Sequence, residues 1–305
     1  MTRPRVIALL AVLWTALLLS APATAQIQLQ PGYQPAPLGK DTLCFLYRFE
    51  TGDTLIYDID ARDSIWVQGE GRVLKLRRSR VMIVCDSAFH GTYWLRQIMT
   101  SSVERQSTVD TASERATHPW VDRVLTFVMD SLGKRSFAAV TQPDVVAMHP
   151  GGPFSPMLLP PLGESCGRQN QSWIVEDTLE LTENGVPPPV IANTTLWRVL
   201  DKVDTLGRRF RQIQYSTTAR GSHKVSGDGM AMTTTAIINS YGKLSFDDLL
   251  NLPYHVFATA ENKLNIALKS GIERDAMQKT SVDAQLLEMR SHNPARGFML
   301  ARRLH

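Results

Sequence analysis

Apolar and polar residues alternate over long stretches of this chain, in runs punctuated by glycine, asparagine and aspartate. From Leu43 onward, LCFLYRFETGDTLIYDID keeps the alternation on both sides of Gly52-Asp53. That is the period-two pattern of strands meeting at a tight turn. Residues 73–75, 81–85 and 93–99 continue as strands. Residues 101–117 are polar and lack a continuous apolar face, which predicts a loop or an irregular hairpin tip.

One stretch occurs twice. Residues 124–137 (VLTFVMDSLGKRSF) align without gaps on 233–246 (TTTAIINSYGKLSF), matching Asp130 to Asn239, Ser131 to Ser240, Gly133 to Gly242 and Lys134 to Lys243. An apolar run, a turn and a second run opening on Phe137 or Phe246 predict a β-hairpin in each copy, with glycine at positive φ. Two further blocks match in the same order: Asp53-Thr54-Leu55 with Asp177-Thr178-Leu179, and 80–99 with 197–215, where Asp86 meets Asp204. Three matches in order predict an internal duplication of roughly 100 residues. Between the halves, residues 142–166 hold six prolines. Proline lacks the amide donor that a central strand needs, so this stretch reads as a linker.

Beyond Phe246, residues 247–252 read as a helical turn stopped by Pro253, and 254–268 fit either a last strand or a short helix. Ile272, Ala276, Met277, Val282, Leu286, Leu287 and Met289 then fall at helical spacing, which predicts a C-terminal amphipathic helix. The expected organisation is a signal peptide (1–25), a flexible leader (26–41), β repeat 1 (42–141), a Pro-rich linker (142–171), β repeat 2 (172–270), and a C-terminal helix and basic tail (271–305). The expected fold class is mainly β: two similar antiparallel-sheet halves forming a curved sheet or half-barrel of about ten strands, with the helix beside it.

The leader narrows the location. Arg3 and Arg5 precede an apolar run at 6–19, and Ala23-Thr24-Ala25 supplies the small residues of a cleavage site before Gln26. The run is shorter than the ~20 residues that span a bilayer. A secreted or periplasmic protein is expected, not an integral membrane one. Hydrophobic content of 43% and charged content of 20% fit a packed globular chain. Removing Arg3 and Arg5 takes the formal charge from +4 to +2, too little for a nucleic-acid partner.

Candidate chemistry is sparse. With three cysteines, Cys44, Cys85 and Cys166, an oxidising compartment allows one disulfide and one leftover thiol. Cys44 and Cys85 both fall in predicted strands of the first half, which makes theirs the expected pair. The histidines (His90, His118, His149, His223, His255, His292 and His305) are scattered singly, without HxH, HExxH or CxxC spacing. Asp58, Asp60 and Asp63 alternate without the glycine and closing glutamate of a calcium loop, and read as outward strand residues. Residues 221–229 (GSHKVSGDG) read as a hairpin tip, and the pairs Arg77-Arg78 and Arg208-Arg209 as solvated strand ends. The expectation is a non-enzyme with no catalytic residue, metal site or cofactor, and ligand-binding residues undefined. Trp66, Trp94, Trp120, Trp173 and Trp197 are the aromatic residues available either to line a binding face or to pack the core.

The sequence YRFETGDT at 47–54, the two [D/N]-S-x-G-K turns and the Pro-rich stretch leading to Trp173 resemble uncharacterised bacterial secreted β proteins of the LolA/LppX-like class. The resemblance implies a curved antiparallel half-barrel around an apolar cavity, and a lipid or other apolar small molecule as partner. A structural or protein-interaction module of the cell envelope is the alternative.

Overall fold

Strand patterning dominates the chain. In the computed structural model, which describes residues 42–108, 111–115, 121–140, 158–180, 190–205, 207–227, 230–268 and 271–299, the described residues contain fifteen strands and no helix. In chain order these are β1 (Thr42–Cys44), β2 (Thr54–Val67), β3 (Gly71–Phe89), β4 (Thr92–Ser107), β5 (Ala112–Arg115), β6 (Val124–Asp130), β7 (Arg135–Val140) and β8 (Cys166–Arg168). There follow β9 (Ser172–Glu180), β10 (Val190–Thr205), β11 (Arg208–Gly227), β12 (Met230–Asp247), β13 (Pro253–Leu268), β14 (Glu273–Arg290) and β15 (Phe298–Met299).

Thirteen strands form one antiparallel sheet in the order β7-β6-β4-β3-β2-β14-β13-β12-β11-β10-β9, with β5 beside β4 and β15 beside β14; β1 and β8 make a separate pair. Two meanders, β2 to β7 and β9 to β14, are joined down the middle by β2 against β14. The sheet is open, and β7 and β9 form its two ends. Its strands are long: β11 has 20 residues, roughly 65 Å at the usual rise.

The expected C-terminal helix is strand β14. Thr280, Val282, Ala284 and Leu286 are buried at every second position, and a bulge between Leu286 and Glu288 returns Met289 to the buried face. Pairing with β13 on one side and β2 on the other satisfies its backbone. Tertiary pairing thus overrides a helix-favouring composition.

The two matching stretches also part company. Residues 124–137 make the expected hairpin: Asp130 Oδ1 accepts from the amides of Leu132 and Lys134, both at 2.9 Å, and Gly133 has φ +84°. Residues 233–246 run straight through β12. Gly242 sits there under the Tyr215 ring, where a Cβ would lie 2.3 Å from ring carbon. The second glycine therefore answers to packing rather than to a turn. Residues 101–107 and 112–115 prolong and pair with β4, and Gly227 pairs with Met230 at the expected hairpin tip.

The alternation collects Leu55, Tyr57 and Ile59 of β2, Val81 and Ile83 of β3, Leu125, Phe127 and Met129 of β6, and Leu244 and Phe246 of β12 in one core. Two extended pieces of chain, 45–50 and 158–165, cover this inner face. Phe45, Tyr47, Phe49, Leu158, Leu159 and Leu162 are buried there. The Tyr47 hydroxyl donates to Pro160 O at 2.7 Å, Trp173 Nε1 to Leu162 O at 2.6 Å, and the Phe45 ring meets Phe246 edge-on at 5.5 Å. Alternation in 43–49 thus marks burial without a place in the large sheet.

A disulfide fastens these pieces, and it is Cys44–Cys166, not Cys44–Cys85. Cys44 lies on β1 directly opposite Cys166 on β8, whereas Cys85 points into the core of the large sheet. Two buried arginines add clasps. Arg296 contacts Asp53 and Glu50, each at 3.1 Å, and donates to Arg48 O at 2.6 Å. Arg211 pairs with Asp248 at 2.6 Å and donates to the Cys44 carbonyl oxygen. Its burial lowers the guanidinium pKa from the ordinary value.

Candidate functional site

Successive side chains of a strand point to opposite faces, so every inner-face residue has an outer-face neighbour. In β2 these are Asp60, Arg62, Ser64 and Trp66. The ladder registers align them with the strands on either side. One row reads Leu76–Arg62–Ser281–Thr259–Tyr241–Ser216, from β3 across to β11. The next reads Leu74–Ser64–Lys279–Glu261–Asn239, and the one beyond it Trp66–Met277–Lys263–Ile237–Arg220.

Three clefts lie along these rows. A central one of about 770 Å³ is lined by Leu74, Leu76, Arg62, Tyr241, Glu261 and Lys279. A second of about 800 Å³ shares Arg62, Leu76 and Ser281 with it and adds Val103, Arg78 and Phe257. A third of about 880 Å³ lies over Trp66, Ile237, Met277, Lys263 and Arg220. Each is of the size that holds a small organic ligand. Trp66 is 45% exposed, Leu76 51% and Tyr241 43%. With Leu74, Val103 and Ile237 they make six of the twelve large apolar side chains exposed among the described residues. Half of the exposed apolar residues therefore gather in one place, which marks a patch rather than scatter.

Most charges at the clefts neutralise one another. Arg78 meets Asp60 at 3.0 Å, Arg105 meets Glu114 at 2.7 Å and Lys279 meets Glu261 at 3.0 Å, while Asp283 is hydrogen-bonded to His255 at 2.7 Å. The hydrogen bond to Asp60 raises the Arg78 pKa above its ordinary value. Asp275 accepts from Asn265 at 3.1 Å. Arg62, Lys263 and Arg220 have no acidic partner among the described residues.

Of the five tryptophans named above as candidate liners, Trp66 lines a cleft, while Trp94 is exposed on β4. Trp173 and Trp197 are core residues, 6% and 1% exposed, and Trp120 lies outside the described residues. Asp58 and Asp60 face outward as expected, paired with Arg80 and Arg78. Asp63 turns inward instead: it is buried, accepts from Arg77 at 2.6 Å and from Thr280 at 2.7 Å, and Arg77 is no solvated strand end. No group of three or more histidine, cysteine or acidic side chains gathers at one point among the described residues. Burial pushes the Cys85 thiol up to about 12, far from the depressed range of a nucleophilic cysteine. The cleft itself was not legible as a site. The apolar members Leu74, Leu76, Ile237 and Tyr241 of the clefts come from two strands, β3 and β12, that are not adjacent in the sheet, and only the register brings them together.

No protein-family model matches the chain, and no curated protein matches its sequence. Among solved structures, the chain matches OmpT of Vibrio cholerae with loop L8 deleted, an outer membrane protein, at 8% identity. The match covers 78% of this chain and 100% of that one at a TM-score of 0.18, a value that carries no argument. No described helix is long and apolar enough to cross a membrane.

Proposed function

We propose that this is a secreted or periplasmic, non-enzymatic protein that binds a lipid or another apolar molecule in the outer-face clefts. One observation carries the reading: Trp66, Leu74, Leu76, Val103, Ile237 and Tyr241 stand exposed along the three clefts of the outer face. Bare apolar surface of this kind forgoes the stabilisation of burial, and a ligand that covers it recovers that term. The LolA/LppX-like resemblance implies a ligand on the inner face. Here residues of the described segments 45–50 and 158–165 pack into the core on that face, which supports reading the opposite side as the binding side.

A second reading rests on a different feature. Among the described residues β7 and β9 are bonded on one side only, and such edges accept a strand from a partner. An envelope interaction module would use them.

Native mass spectrometry of the mature protein purified from its own envelope, with organic extraction, separates the two. A stoichiometric adduct in the lipid mass range supports the carrier. A clean apo mass that stays clean after lipid extracts are offered overturns it in favour of the interaction module.

A further inference from the structure

We propose that the ligand is an anionic amphiphile, with Arg62 holding its carboxylate or phosphate head and the apolar cleft residues holding its tail. The inference rests on the cleft-binding reading and adds the chemistry of the head. Arg62 lines both the central cleft and the cleft over Val103, so it stands where the two meet. Its cross-strand neighbours are Leu76 on β3 and Ser281 on β14, and neither is an acid. Every carboxylate near it already has a partner: Asp60 has Arg78, Glu261 has Lys279, Asp283 has His255 and Glu114 has Arg105. A guanidinium without a carboxylate, among six exposed apolar side chains, is complementary to a molecule with one acidic end and one apolar end. Arginine suits that head because its planar fork matches two oxygens at once.

Further along the same face, Lys263 and Arg220 flank Trp66, Ile237 and Met277. Asp275 is the one acid there without a cation, and Asn265 already donates to it. The uncompensated charge over the three clefts is therefore positive, which favours an acidic head over a zwitterionic or cationic one. The tail lies over the rows that connect Arg62 with Trp66, four strand positions away on β2.

The test is calorimetric titration of the full mature chain with decanoate, decyl phosphate, decanol and inorganic phosphate alone, below micellar concentrations. Decanoate or decyl phosphate should bind at least about tenfold more tightly than decanol, the scale of a charge-assisted hydrogen bond, and inorganic phosphate should not compete. Which of the two acids binds better assigns the head to a fatty acid or to a phospholipid. Arg62→Ala should erase the preference for the acids and leave decanol binding unchanged, with Arg62→Lys recovering part of it. Arg62 is exposed, so both variants should melt with the wild type. Equal binding of decanol and decanoate by the wild type, or an acid preference that survives Arg62→Ala, overturns the assignment of the head and leaves the cleft standing. Failure of all three ten-carbon probes overturns the cleft reading itself. Competition by inorganic phosphate overturns the amphiphile, because it shows an anion site that needs no tail.

Discussion

The two faces of the large sheet are built from the same strands and meet different fates. On the inner face Leu55, Tyr57, Val81 and Ile83 are wholly buried. On the outer face, a few positions along β2 and β3, Trp66, Leu74 and Leu76 are about half exposed. Their hydrophobicity is similar. What differs is that segments 45–50 and 158–165 fold over one face, tied down by a disulfide and two arginines, while no described segment closes the clefts on the other. Full burial of one such side chain is worth about 1.5–3 kcal/mol. The inner face realises that contribution in stability, and the outer face holds it available for binding. Substitutions on the inner side should thus lower stability, and substitutions on the outer side should alter affinity.

The largest effect tests the covering segments. Cys44→Ser combined with Cys166→Ser opens a loop whose ends are 122 residues apart, and should lower unfolding stability by about 4–5 kcal/mol, read from urea titrations. Arg296→Ala comes next. It leaves Asp53, 0% exposed, without its cation, a loss of roughly 3–5 kcal/mol for a broken buried pair. Phe45→Ala should cost about the same through cavity formation. If these variants unfold like the wild type, segment 45–50 does not hold the inner face closed, and the contrast between the faces fails.

Alkaline pH probes the inner face without mutating it. The Cys85 thiol has an ordinary pKa of 9.0 and is pushed to about 12 in the folded protein. The unfolded chain therefore releases this proton first. The associated stability is intact below pH 9 and is lost as pH rises from 9 toward 12. Buried Tyr47, Tyr57 and Tyr215, also raised, add loss of the same sign above pH 10. Arg135, lowered to about 10 by burial from 12.5, acts in the opposite direction between those values. The melting temperature should fall from pH 8.5 to 10.5, and should fall less in Cys85→Ala. Equal slopes in the two proteins would show that Cys85 is not sequestered in the core.

The difference between the faces also explains what the sequence could disclose. Alternation is a local signal, and it correctly announces an antiparallel β protein and the Asp130–Gly133 turn. Pairing is not local. Residues 273–290 carry Glu, Ala, Met, Gln and Leu in an order compatible with a helix, and become the centre of a sheet because β2 and β13 lie on either side. Gly242 matches Gly133 in sequence, yet it is small to admit Tyr215 rather than to turn the chain. Cys44 meets Cys166 through β1 and β8, two strands of three residues each, too short to announce a pairing. The clefts were hidden for the same reason: Leu76, Arg62 and Tyr241 become neighbours only through the register of the ladders, four of which separate Leu76 from Tyr241. Among the tryptophans weighed as liners, nothing local distinguishes Trp66, on the open face, from Trp197, in the core.

The smallest effect on stability is the sharpest test of the contrast. Leu74→Ser and Leu76→Ser remove two apolar side chains that are 43% and 51% exposed and that leave no cavity behind. Surface changes of this kind usually stay within about 0.5 kcal/mol, so the double variant should unfold close to the wild type. In the carrier reading its affinity for a ten-carbon tail should fall by about tenfold or more, since the serines lose several buried methylene equivalents from the complex. The same substitution leaves the β7 and β9 edges untouched, so a partner that adds a strand there would bind as before. A variant that keeps both stability and tail affinity would show that the exposed leucines serve neither the fold nor a ligand. A variant that loses stability instead would show that the outer face is already packed against other parts of the chain, and the two faces would no longer differ in kind.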